Sequence, residues 1–193
     1  MDFILKNFDY RFFILDTVML ENTMKDNGKT RTKNILKYLT AHKNVYEQLC
    51  QNGYFFPIQE INSGAFQFFI NKLPNSLPSE WQNIRTYHDQ FDFIVTDTSS
   101  IWIIAGDQLY EWNHNYYKNH HEKIETINGK DYLAGKKISI EEGIYSLSIS
   151  VLKRKNKTQE PNLGFLINFT KATNANSTIN NLPTEFNFNG NRE

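Results

Sequence analysis

The sequence predicts an α+β domain, built mostly on antiparallel sheet with a few packed helices. Three observations predict it. Tyr145, Leu147, Ile149 and Val151 alternate with Ser146, Ser148 and Ser150, the pattern of a strand with one buried and one wet face. Ile35, Leu39, His42, Tyr46 and Leu49 recur at i, i+4, i+7, i+11 and i+14, which is one face of a helix. Turn-type clusters such as Asn62-Ser63-Gly64, Asn128-Gly129 and Glu141-Glu142-Gly143 separate short apolar runs, as hairpins require.

Taken in order, Tyr10 to Leu15 reads as a strand that stops at Asp16-Thr17, residue types that cap and turn. Val18 to Met24 fits a strand or a helix turn, and Asp26-Asn27-Gly28 breaks it. Arg31 to Asn52 is the longest helical pattern, with Leu36 and Cys50 widening the stripe and Gly53 at the left-handed C′ position. Ile58 to Ile61 and Ala65 to Ile70 flank Asn62-Ser63-Gly64 as a hairpin. Pro74 and Pro78 punctuate the next loop. Ser79-Glu80-Trp81-Gln82 has capping-box spacing and predicts a short helix carrying Trp81, Ile84 and His88 on one side.

Phe91 to Val95 and Ile101 to Ala105 read as strands, with Gly106 as a stop. Asp107 then caps a helix through Tyr117, with Leu109, Trp112 and Tyr116 inward. Glu122–Ile127 and Lys130–Leu133 form a hairpin around Asn128-Gly129. Ile138 to Ile140 and Ile144 to Leu152 form another, and Phe165, Ile167 and Phe169 mark a further strand. A single domain over residues 1–172 follows. Residues 173–193 read as a polar, Asn-rich tail with one added strand at Glu185 to Phe188.

The two halves share an order of motifs. Phe13-Ile14-Leu15-Asp16-Thr17 aligns with Ile94-Val95-Thr96-Asp97-Thr98, and Ile61-x-x-Gly64-x-Phe66-x-Phe68-x-Ile70 with Ile140-x-x-Gly143-x-Tyr145-x-Leu147-x-Ile149. The offsets are 81 and 79 residues, so residues 8–73 and 89–170 read as two pseudo-repeats of about 80 residues around a shared core.

Composition narrows the function classes. The chain of 193 residues carries 21 basic and 21 acidic side chains, which gives no net pull on nucleic acid or an anionic membrane. No apolar run reaches the ~18 residues of a membrane span. The lone Cys50 precludes an internal disulfide and, with no export-type leader at Met1 to Arg11, predicts a cytoplasmic protein. Cys50 sits near the end of a helix, where a packed thiol is expected rather than a nucleophile. Phosphate-binding glycine loops and the Gly-x-Ser-x-Gly elbow are absent, and no cofactor is expected.

His114, His120, His121 and Glu122 cluster within nine residues, which allows metal ligation. The spacing argues for a solvated helix end instead, because His114 and His121 lie two turns apart and His120 and His121 point differently. Asp16 and Asp97 would pair as acid–base or cation-holding carboxylates if the halves pack pseudo-symmetrically; the competing reading makes both turn formers. Lys153-Arg154-Lys155-Asn156-Lys157 reads as a solvated basic loop between strands. Trp102, Trp112, Tyr116 and Tyr117 are candidate partner-binding anchors, with core packing as the alternative.

Residues 91–169 resemble small bacterial proteins of unknown or immunity-type function found beside secreted toxins. Phe93-Ile94-Val95-Thr96-Asp97-Thr98 and Ile140-x-x-Gly143-x-Tyr145-x-Leu147-x-Ile149 carry the resemblance. It implies an α+β fold, no catalytic motif and action by covering a toxin's active site, and it assigns no functional residue. The balanced charge departs from the acidic character common among nuclease inhibitors. The expected function is therefore a non-enzymatic binding protein, toxin-neutralising by occlusion of a protein partner. A metal-dependent enzyme with its site between the halves and a structural, oligomer-forming subunit are the alternatives.

Overall fold

The computed structural model describes residues 1–73, 76–88, 91–97, 100–156, 158, 160–172 and 186–191. Among them, eleven strands and four helices make an α+β fold in three layers. One sheet runs in the order β1 (Asp2–Asn7), β4 (Gly64–Ile70), β11 (Leu163–Lys171), β10 (Gly143–Arg154), β5 (Trp81–Tyr87), with β6 (Asp92–Val95) also on β10. The second runs β3 (Phe55–Ile58), β2 (Phe12–Asp16), β7 (Ile101–Ala105), β9 (Lys130–Lys137), β8 (Glu122–Ile127). All pairings are antiparallel except β4 with β11. Gly164 permits that parallel contact, because a Cβ there would meet the Gln67 carbonyl oxygen at 2.5 Å.

The five-stranded sheet is the middle layer, and its strands β2 and β7 are buried on both faces. Phe12 and Ile14 of β2 and Ile101, Ile103 and Ala105 of β7 face the other sheet. Phe13, Leu15, Trp102 and Ile104 face the helices. That double burial explains why both strands read as continuous apolar runs. The alternating β10 sends Tyr145, Leu147, Ile149 and Val151 into the inter-sheet core. Phe12 anchors that core, with Phe66, Phe68 and Phe165 around it at centroid distances of 5.5, 5.0 and 6.5 Å. The aromatic-rich composition is spent here, where rings meeting edge to face add to their large buried area.

The helical layer begins with α1 (Thr17–Asp26), which resolves the strand-or-helix ambiguity at Val18 to Met24. It ends as predicted near Asn27 and Gly28, the latter at φ +71°. The predicted 31–52 helix is two helices, α2 (Ile35–Ala41) and α3 (Lys43–Gln51). Asn34 caps α2 through its side chain, which accepts from the Lys37 N–H at 2.9 Å. His42 leaves helical geometry at φ −123° and ψ 71°, stacks on Tyr38 and bonds the Tyr38 carbonyl through Nδ1 at 3.0 Å. The break changes the helix phase, so Val45 is buried and His42 is exposed. Gly53, at φ +75°, closes α3 as predicted, with the Tyr54 N–H on the Leu49 carbonyl at 3.0 Å.

Several expectations are corrected by the sheet assignments. The segments flanking Asn62-Ser63-Gly64 are not a hairpin: β3 lies in one sheet and β4 in the other. Likewise β9 ends at Lys137 in the middle sheet and β10 starts at Gly143 in the outer one, with Ile138 and Ile140 buried at the crossing. The Ser79–His88 helix is instead β5. A register shift on β10 between Val151 and Leu152 leaves Ile84 as an extra residue on β5. This bulge sends Trp81 to an outer cluster with Phe69, Leu152 and Leu166, while Tyr87 turns into the inter-sheet core. The Asp107–Tyr117 helix is a 3-10 turn, Gly106–Leu109, followed by α4 (His114–Asn119). Asn128 and Gly129, at φ +53° and +73°, form the predicted tight turn between β8 and β9.

The repeat is not confirmed. Gly64 and Gly143 do start their strands with similar φ values of +142° and +149°. However, Phe13–Leu15 belongs to a central strand of the middle sheet, whereas Ile94 and Val95 belong to the short β6 of the outer sheet. The Asn-rich residues 174, 176, 180 and 181 and Glu185 lie outside the described residues. Phe186–Asn189 do not form the expected strand, and Phe188 is 2% exposed in the inter-sheet core.

Candidate functional site

Asp16 is fully buried and fixed. Its Oδ1 accepts from the N–H groups of Val18 and Met19 at 2.9 and 3.0 Å, which caps α1. Its Oδ2 accepts from the Thr96 N–H and Oγ1 at 3.2 and 2.7 Å and from Ser100 Oγ at 2.9 Å. The two aligned Asp-Thr segments therefore do meet, but through Asp16 and Thr96 rather than through two carboxylates. Asp97 is exposed and its carbonyl accepts from Ser100. Asp16 is a structural tie between the layers, not half of an acid–base pair.

The imidazoles do not converge. His120 stacks on Tyr116 at 4.1 Å and bonds the Tyr116 carbonyl through Nδ1 at 2.9 Å. His121 is exposed, and its carbonyl accepts from the Lys137 N–H. His114 starts α4 and faces α1, with Nδ1 3.7 Å from Glu21 Oε2. Among the described residues, no three His, Cys, Asp or Glu side chains are placed to share an ion.

The proposed aromatic anchors are mostly interior. Trp102, Trp112 and Tyr117 are 0%, 6% and 2% exposed and pack between the middle sheet and the helices. Trp112 stacks on Tyr117 at 4.2 Å, and Trp102 meets Tyr117 edge-on at 4.9 Å. Partner binding through these three is corrected to core packing; only Tyr116 is partly exposed. Trp102 on β7, Trp112 before α4 and Tyr117 on α4 bury their large rings together where the helical layer covers the middle sheet. Cys50 is buried, and desolvation pushes its thiol up to about 12 despite a hydrogen bond from Tyr46 that pulls it down. It is a packed thiol.

Of the basic run, Lys153, Arg154 and Lys155 are tied down, and Lys157 lies outside the described residues. Lys153 and Lys155 reach the carbonyls of Gly190 and Ser79 through Nζ, and Arg154 covers the Trp81 ring at 4.9 Å.

The structure instead presents an open cleft of about 890 Å³ on the helical layer. One wall is α1 with the loop after it, including Glu21, Lys29, Arg31 and Lys33. The other is the segment from Tyr110 to Asn115, which contains Trp112 and His114. The Trp112 N–H donates to the Lys33 carbonyl at 2.8 Å and ties the two walls together. Buried nitrogens with no hydrogen-bond partner in the structure, Trp112 Nε1 and His114 Nδ1, belong to residues of this cleft.

His114 is expected to titrate below the ordinary imidazole value of about 6.5. Burial is the main cause, opposed by Glu21 and reinforced by Lys25 and Lys118. Because the folded state disfavours the imidazolium, this group's contribution to stability is whole above about 6.5 and falls as the pH drops toward its folded value. An NMR titration of the imidazole checks this. Glu21→Gln is expected to lower the value further, and an unchanged or raised value would refute the assigned balance.

Sequence reasoning missed this site because its walls lie some eighty residues apart. One local signal existed: Lys29-Thr30-Arg31-Thr32-Lys33 places a cation at every second residue between a breaker and a helix.

The fold is that of a three-layer α+β protein with an open, polar cleft on its helical layer. In comparisons with known proteins, the chain matches no protein-family model, no curated protein and no solved structure. No helix among the described residues is long and apolar enough to cross a membrane.

Proposed function

We propose that this is a non-enzymatic, cytoplasmic binding protein that occludes a protein partner, in the manner of bacterial toxin-neutralising proteins, and that the cleft beside α1 is its docking face. The cleft carries the reading. It is open, spacious and lined by charged and polar side chains of α1, the 29–33 loop and the 110–115 segment, above the packed cluster of the helical layer. The hydrogen bonding of Asp16 supports the non-enzymatic reading, since a carboxylate already accepting from five donors has no lone pair aimed at a substrate.

The test is affinity capture from the native cell with the wild-type chain and with two bulky cleft variants, Thr32→Trp and Asn115→Trp, on opposite walls. Circular dichroism confirms that each variant folds. The expected result is a protein that the wild type retains and both variants lose. That protein should arrest growth when expressed alone and be silenced by an equimolar amount of this chain. Capture of nothing, equal capture by all three, or a partner fully active in the complex would each overturn the reading.

A further inference from the structure

The cleft wall also indicates the chemistry of its occupant. Three cations, Lys29, Arg31 and Lys33, line the cleft from one short loop. Two carboxylates, Glu21 and Glu111, share it. Glu21 is already engaged, with Lys25 at 3.4 Å and the His114 ring at 3.7 Å. Lys29 lies 5.5 Å from the Tyr38 ring centre, in cation–π range. Arg31 and Lys33 form no ion pair with any described carboxylate, and both are exposed. The loop is nonetheless anchored at its end, through the Lys33 carbonyl to the Trp112 N–H and through the Asn34 cap of α2.

The contrast with the other basic run is informative. Lys153 and Lys155 have their ammonium groups on backbone carbonyls, and Arg154 lies on Trp81. Both runs are similar in composition; among the described residues of the two, those of the 29–33 run line the cleft, with Arg31 and Lys33 outside any ion pair. In a chain whose total charge is zero, that local excess recruits an anionic surface within a Debye length of roughly 10 Å. Buried Trp112 Nε1 adds a donor with no hydrogen-bond partner in the structure.

We infer that the partner presents an acidic segment, carboxylates spaced along a peptide, and that Arg31 and Lys33 receive it. The inference rests on the cleft being the docking face. It assigns the basic side of the complex to this chain, so the partner's covered surface is the acidic one.

The probe is an acetylated ten-residue polyglutamate peptide, titrated calorimetrically into the full chain at low ionic strength. The wild type is expected to bind it, with affinity falling as salt is added, and to ignore a ten-residue polylysine. The double variant Arg31→Glu/Lys33→Glu should weaken binding by about tenfold or more. The double variant Lys153→Glu/Lys155→Glu should stay within about twofold. Arg31→Gln/Lys33→Gln, which removes charge without reversing it, should fall between and guards against misfolding of the reversed variant. No binding of polyglutamate, equal binding of polylysine, or equal losses from both reversed variants would overturn the inference. The bulky variants Thr32→Trp and Asn115→Trp separate the two readings. If they abolish partner capture while polyglutamate fails to bind, the docking face stands and the acidic assignment falls. If they leave capture intact, both fall.

Discussion

Asp16→Ala is expected to destabilise the protein by about 3–5 kcal/mol. The substitution removes the cap of α1, which alone costs about 1 kcal/mol. It also strands the Thr96 N–H and hydroxyl, which converge on Oδ2, whereas the Ser100 hydroxyl keeps the Asp97 carbonyl at 2.6 Å as an acceptor. Each buried donor left without an acceptor costs about 1–3 kcal/mol. Asp16→Asn is the informative companion. Its amide oxygen can still cap Val18 and Met19, but its NH₂ then faces the Thr96 N–H, which cannot turn round to accept. The hydroxyls can. Asn is therefore expected to lose roughly half of what Ala loses. Urea unfolding monitored by tryptophan fluorescence checks both. A loss below about 1 kcal/mol for Asp16→Ala would show that the tie between the helical layer and the Thr96–Ser100 region is not structural.

Phe188→Ala is expected to cost about 3–5 kcal/mol, the range for truncating a buried Phe. The ring is 2% exposed and meets Phe56 and Tyr87 at 6.1 and 6.3 Å, with Phe186 against it at 4.7 Å. Phe56 is on β3 and Tyr87 on β5, edge strands of the two different sheets. The C-terminal segment thus seals the gap where the sheets part. Asn189 fastens it, donating to the Glu60 carbonyl and Asn62 Oδ1 at 3.1 and 3.2 Å. Phe188→Leu, which keeps most of the apolar volume, should lose less than half as much. Equal and small losses in both variants, measured by the same urea unfolding, would mean that this segment only rests on the core.

These two residues show how much was readable beforehand. The capping chemistry of Asp16 was visible, because an acidic residue before Thr17 acts on amides two and three positions away. Its partners at Thr96 and Ser100 were not, since they lie 80 and 84 positions along the chain. Phe188 sits among asparagines and looks like part of a polar tail, because burial depends on the cavity it meets and not on its neighbours in sequence. The strand β5 was hidden for a third reason. Its bulge interrupts the alternation, and the capping-box spacing before it mimics a helix start. The cleft was hidden because neither wall is unusual alone.

Short-range chemistry therefore specified the α+β class, the alternating strands β10 and β11, the tight turn at Asn128-Gly129 and the helix ends at Gly28 and Gly53. Each depends on torsional preference or on apolar spacing within a few residues. Membership of one sheet or the other, the break at His42, the burial of Trp102, Trp112 and Tyr117, and the gathering of Lys29, Arg31, Lys33 and His114 around one cleft were settled only by folding. Those features follow from which hydrophobic faces cover one another, and that competition is decided by the whole chain at once.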